Sequence, residues 1–207
     1  MERFVTTPFD DMEKIDEGLY GLVISGFRGE AVNVEEGKKE VLIFGRMDET
    51  VPVITCLDGE SSLASCTEMI LIHFGIENTS GNAFRDDARI TLYDAVREFE
   101  VNNLEVEWFE GDTMELLAEQ LDEGGSVLCM VSGIVLNVPE MSDFPGLTAD
   151  HPVVVTTIDV TNPANPQITF HDPRSNTGKK SCDLSLFLSA WEKGNSRMVV
   201  ILSLIHI

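Results

Sequence analysis

The residues best placed to do chemistry lie between Val51 and Gly75, in the stretch VPVITCLDGESSLASCTEMILIHFG. Its pattern reads as a strand, a tight polar turn and an amphipathic helix closed by a glycine. The first N–H groups of such a helix lack intrahelical acceptors, and its dipole is positive there. A side chain at that end therefore stands in an anion-stabilising field. A thiol in this field is drawn towards thiolate and becomes a nucleophile. A serine hydroxyl is not ionised by the field, and it needs a positioned general base and an oxyanion hole. This helix start holds Ser61 and Ser62. Serines are also good helix caps, so capping alone accounts for their presence. Two thiols flank them: Cys56 before the turn, and Cys66 one helical turn beyond Ser62.

Other elements must position these groups. Asp58 or Ser61 can cap the helix, Leu63, Thr67, Ile70, Leu71 and Phe74 share one broad face, and Gly75 suits the residue after its C-cap. Two more helices are expected at Thr91–Phe99 and Thr113–Leu121, the latter capped by Asp112 or Thr113, with a strand at Leu104–Phe109 between them. Strands are expected at Ser126–Val131, Val153–Val160 and Gln167–His171, then a short helix at Leu184–Trp191 and a last strand at Met198–Ile201. Helices first and strands second is the α+β pattern, a helical layer packed on an antiparallel sheet. Residues 1–50 read as a β-rich lead-in, with GLYGLVISGF and AVNVEEGKKEVLIFG as its strand-like runs.

Composition narrows the partners. The 207 residues suffice for one domain with a real core, and the 43% hydrophobic content fits a folded globule. Thirty-six acidic residues against 14 basic ones give a net charge of −22. That balance disfavours nucleic acid and anionic membrane surfaces; it fits a solvated acidic surface, and any peptide or protein segment bound would be basic or neutral. No segment has the length of a transmembrane helix, and the acidic N-terminus lacks a signal-peptide pattern. Cys56, Cys66, Cys129 and Cys182 have neither CxxC nor Cys/His ligand spacing. They are expected as free thiols in a reducing cytoplasm, with no metal and no cofactor. The acidic pairs lack calcium-loop spacing, and no phosphate loop or dinucleotide fingerprint is present. The last six residues, LSLIHI, are one translation of the transposase end sequence used in sequencing libraries. Residues 202–207, with His206, are therefore set apart from the functional argument, and the chain is expected to be of metagenomic origin.

Several of these features occur in a shared order in one family. Cys66, Met69, Ile70, Leu71, Phe74 and Gly75 on the helix, His151 to Val155, Asp172 with Pro173, and Phe187 with Trp191 carry the likeness. From Val51 to Ile201 the chain resembles the peptidase domain of bacteriocin-exporting ABC transporters, family thirty-nine of the papain-like cysteine peptidases. The resemblance implies a papain-like fold over residues 51–201 and a cleft that takes a peptide. It also implies roles: Ser62 stands at the nucleophile position, Leu63 at the adjacent glycine, Cys56 at the oxyanion glutamine, His151 at the catalytic histidine and Asp172 at its orienting aspartate. Histidine and aspartate are kept; the thiol and the oxyanion donor are not. Losing one oxyanion donor costs on the order of a hundredfold in rate. The expectation is a peptide-binding pseudoenzyme. The alternative is an active hydrolase that uses Cys56, Cys66 or Ser62 with His151 and Asp172.

Overall fold

The computed structural model describes residues 43–45, 51–56, 60–76, 90–111, 113–136, 150–162, 164–175 and 177–203. The elements are β1 (Ile43–Phe44), α1 (Ser62–His73), α2 (Leu92–Val101), β2 (Leu104–Phe109), α3 (Met114–Asp122), β3 (Ser126–Ser132), β4 (Asp150–Asp159), β5 (Gln167–His171), β6 (Lys179–Asp183), α4 (Leu184–Lys193) and β7 (Arg197–Ser203). The strands form one antiparallel sheet in the order β2-β7-β3-β4-β5-β6. β1 pairs with β4 at Ile158 and Asp159, beyond the point where β3 begins at Ser126. Most of the lead-in expected over residues 1–50, including GLYGLVISGF, lies outside the described residues.

The sheet is buried on both faces, not one. Leu128, Met130, Val154, Val199 and Ile201 face α1 and α2, where Cys66, Met69, Ile70, Ala95 and Phe99 complete a first core. The neighbours in the strands, Val127, Cys129, Val131, Val153, Val155 and Val200, face α3 and α4, where Leu117, Leu121, Phe187 and Trp191 complete a second. The two-residue period of a strand sends alternate side chains to opposite faces, so continuous runs such as SVLCMV and VVV are what a doubly covered strand needs. The order of helices and strands along the chain follows the α+β expectation, with β2 between α2 and α3 and α4 before the last strand.

α1 is the element that matters most for function, and its ends are defined by local chemistry. Ser61 is the N-cap, with extended backbone, and its Oγ accepts from the Ala64 N–H at 3.3 Å. The helix stops at Phe74. Gly75 has φ +74°, its N–H donates to the Ile72 carbonyl, and the Ile76 N–H donates to the Leu71 carbonyl. This is the Schellman arrangement, in which a left-handed residue lets the chain turn back on the last carbonyls. Asp58, the other expected cap, lies outside the described residues. Between its ends α1 is buried on more than the one face expected, since Ala64, Ser65, Cys66 and Met69 are buried with Leu63, Thr67, Ile70 and Leu71.

β6 (KKSCD) is absent from the expectation. It sits at the sheet edge, with Lys179, Ser181 and Asp183 exposed. The end of β7 also differs: Leu202 and Ser203, set apart with the tail, pair with Glu105 and Leu104 of β2.

Candidate functional site

The site is built where three parts of the chain meet: the start of α1, the start of β4 and the hairpin between β5 and β6. In the β4–β5 pair Val154 lies opposite His171, so the chain leaves β5 beside the early residues of β4. The next residue is Asp172, and three residues before Val154 is His151. Both side chains are fully buried, and His151 Nε2 lies 2.8 Å from Asp172 Oδ1. The ring's other nitrogen, Nδ1, is buried without a hydrogen-bond partner among the described residues.

Asp172 is held from several sides. Its Oδ1 also accepts from the Arg174 N–H at 2.9 Å, the local turn typical of an aspartate before proline. Its Oδ2 forms an ion pair with Lys180 Nζ on β6 at 2.8 Å. Burial works against its charge. The His151 hydrogen bond and charge, the Lys180 contact and the Arg174 N–H together outweigh burial and bring the carboxyl down to about 2. A buried carboxylate with these partners stays ionised at neutral pH and fixes the histidine ring in place.

The hairpin also carries Arg174 towards α1. Arg174 Nε donates to Ser62 Oγ at 2.9 Å and Nη2 donates to the Glu60 carbonyl at 3.1 Å. The preceding segment is tied to the same hairpin, since the Cys56 N–H donates to the Pro173 carbonyl at 2.8 Å. Gly178, with φ +68°, lets Val53 lie directly on it: a β-carbon there would collide with Val53 Cγ1. Residues 51–56 are thus clamped on the hairpin, and Cys56 Sγ reaches 3.6 Å from Ser62 Oγ.

The sequence-derived set is therefore brought together in two halves. His151 and Asp172 form one contact pair, and Cys56 and Ser62 form the other. Arg174, whose N–H binds Asp172 and whose side chain binds Ser62, links the halves. Among the described residues no hydrogen bond joins Ser62 to His151. Cys66 is fully buried, and its thiol donates to the Pro152 carbonyl at 3.5 Å. Burial, then the charge of Asp172, then Cys56 push its thiol well above the ordinary range, so it resists becoming a thiolate. Arg174 and Lys180 are the site residues that sequence reasoning missed. Among the described residues no group of three or more histidine, cysteine, aspartate or glutamate side chains is arranged to hold a metal ion.

No family model matches the chain, and no curated protein does. Among solved structures, the chain is similar to one described as a "putative C39-like peptidase" from Bacillus anthracis, at 15% sequence identity and a TM-score of 0.54. The match covers 74% of this chain and 94% of that one. At this identity the likeness speaks for architecture alone, and it agrees with the helices and antiparallel sheet described above. The chain has an α+β, papain-like fold.

Proposed function

We propose that this chain is a peptide-binding domain built on a peptidase fold, with hydrolysis impaired at the nucleophile position. The observation that carries this reading is the state of Ser62. Its hydroxyl oxygen accepts from a guanidinium at 2.9 Å and makes no hydrogen bond to His151. An N–H donated to that oxygen engages one of its two lone pairs and draws electron density from it, which lowers its nucleophilicity. A serine also needs a base to take its proton in the transition state. The position next to it holds the Cys56 thiol, a weak donor, where the family resemblance implies an amide. The net charge of −22 favours basic or neutral segments as partners. No described helix is long and apolar enough to cross a membrane.

The test is to incubate the purified protein with a peptide digest and read both retention and cleavage by mass spectrometry. Retention of a subset of peptides with no new termini is expected, unchanged in Ser62→Ala. New termini that vanish in Ser62→Ala would overturn the reading.

One observation favours a second reading, a thiol hydrolase. Cys56 is half-buried and lies beside Ser62, which Arg174 also touches, whereas Cys66 is sealed in the core. A peptide carrying a thiol-reactive group separates the two readings. Labelling of Cys56 that disappears in His151→Ala supports hydrolysis, and labelling indifferent to His151 supports binding alone.

A further inference from the structure

The two edges of the sheet are built differently. At one edge β6 exposes Lys179, Ser181 and Asp183, polar and charged side chains of the kind that keep an edge from pairing with other chains. At the other edge stands β2, which among the described residues pairs with β7 alone. Along an antiparallel edge strand, alternate residues direct N–H and C=O away from the partner, a template for one more strand. β2 contains no proline, and it exposes Trp108 to 45%. Trp108 is not an isolated apolar residue. Tyr93 and Val101, 71% and 63% exposed, lie on α2, which packs on β2. α2 turns back into β2 through Asn102 and Asn103, so the two run antiparallel. Tyr93 to Val101 in the helix and Leu104 to Trp108 in the strand each span about 12–14 Å. Tyr93 therefore comes level with Trp108, and Val101 lies beside the start of β2.

The side chains of β2 say what would pair with it. Leu104 and Val106 face the α1–α2 core, so Trp108, two residues on, leaves the sheet on that side. Glu105 and Glu107 leave on the other face and are exposed. Glu107 stands opposite the apolar Val200 of β7, and neither glutamate is ion-paired to a described residue. A second copy of β2 does not fit this edge. Antiparallel self-pairing centred on Val106 sets Glu105 opposite the copy's Glu107, twice over. Centred on Glu105 or on Glu107, it sets that glutamate opposite itself. Like charges directly opposite destabilise a sheet, whereas opposite charges, and an aromatic against a β-branched residue, stabilise it.

We propose that β2 is a docking edge for an extended segment of another protein, added to the sheet as one more strand. The segment carries a lysine or arginine opposite Glu105 and another opposite Glu107, and β-branched residues on the Trp108 side. This surface lies at the far edge of the sheet from the β5–β6 hairpin and does not depend on the peptide site proposed there.

Two short fluorescein-labelled peptides test it, one alternating valine and lysine and one alternating valine and glutamate. Binding to the full chain is followed by fluorescence anisotropy at about 0.15 M salt, and its place by hydrogen exchange of the backbone amides. The lysine peptide is expected to bind about fivefold or more tightly than the glutamate peptide, and to protect amides within residues 104–109. Glu105→Lys with Glu107→Lys leaves the chain strongly acidic, so a general attraction to cations would survive in it. The proposal expects instead that the preference disappears or reverses towards the glutamate peptide. Trp108→Ala, at an exposed position, should weaken the lysine peptide several-fold in a chain that still folds. Absence of binding, protection elsewhere than β2, or a lysine preference unchanged by the double substitution overturns the proposal. So does protection of the outward-facing β2 amides before any peptide is added. That result shows the edge already taken, by a second copy if the protection varies with protein concentration and by another part of this chain if it does not.

Discussion

Asp172→Ala is expected to cost about 3 kcal/mol or more of folding stability, read as a fall in the urea midpoint. Removing one partner of a buried charged pair leaves the other groups uncompensated, which typically costs about 3–5 kcal/mol. Asp172 is fully buried, and its loss strands the buried His151 Nε2 and the Arg174 N–H. Lys180 is 29% exposed and can turn towards water, which places the expected cost at the lower end of that range. For the same reason Lys180→Ala should cost less, about 1 kcal/mol, since Asp172 keeps its hydrogen bonds to His151 and the Arg174 N–H. The pH dependence follows from the same contacts. The Asp172 carboxyl is at about 2 in the folded protein, against about 3.9 for an unfolded aspartate. A depressed folded value means that the stabilisation is fully present above about pH 4 and is lost as pH falls towards 2. The size of the effect is on the order of 2 kcal/mol. Other carboxylates titrate in the same range, so the informative quantity is the difference between the unaltered protein and Asp172→Asn across that window. The difference should shrink as pH falls. A constant difference would contradict the assignment.

The second large effect concerns Ser62→Cys. The new thiol would sit at the first residue of α1, next to the Arg174 guanidinium. Helix N-termini and neighbouring cations lower a thiol from about 8.5 to between about 3.5 and 7.5. At about pH 6 the thiolate fraction should therefore rise by on the order of tenfold or more, only partly offset by the lower nucleophilicity of a less basic sulfur. Alkylation by iodoacetamide, located by peptide mass spectrometry, should be correspondingly faster at this position than in an unfolded cysteine peptide. Arg174→Gln in the same background should slow it several-fold. Cys66 should stay unmodified in the folded protein, because it is fully buried and its thiol is pushed up. A rate at the substituted position equal to that of the free peptide would show that the helix field and Arg174 do not act there.

What was legible in the sequence, and what was not, separates along the range of the interactions. Ser61 as cap and Gly75 as the left-handed stop of α1 are local signals, and both are where the spacing puts them. The runs VVVTTIDV and QITFH are strands for the same reason, and β-branched residues mark them. By contrast, the apolar stripes of α3 and α4 show that these helices are covered on one side, but not which face of the sheet covers them. β6 escaped because a sheet edge needs little apolar content: two lysines and an aspartate sit comfortably with one ladder paired and one side wet. Arg174 and Lys180 escaped for a further reason. Arg174 meets Ser62 across 112 residues of chain, and no local pattern distinguishes an arginine that reaches a helix start from one that points to solvent. The His151–Asp172 contact was anticipated through family resemblance, not through periodicity, and its geometry depends on the β4–β5 register that brings Val154 opposite His171.

The same contacts hold this part of the papain-like frame together independently of any chemistry. Asp172, His151 and Lys180 form a polar network around a buried carboxylate, and breaking it is costly whether or not any bond is cleaved nearby. Ser62 is bonded to the hairpin by Arg174, so the hydroxyl has a structural task.

The most direct measurement is the reaction of the unaltered protein with a serine-directed fluorophosphonate, followed by intact mass and peptide mapping. Such a probe reports an activated serine without knowledge of the substrate. With Ser62 held by Arg174 and not by His151, no adduct is expected at Ser62. An adduct at Ser62 that is lost on His151→Ala would contradict the impaired-nucleophile reading and establish a working serine nucleophile.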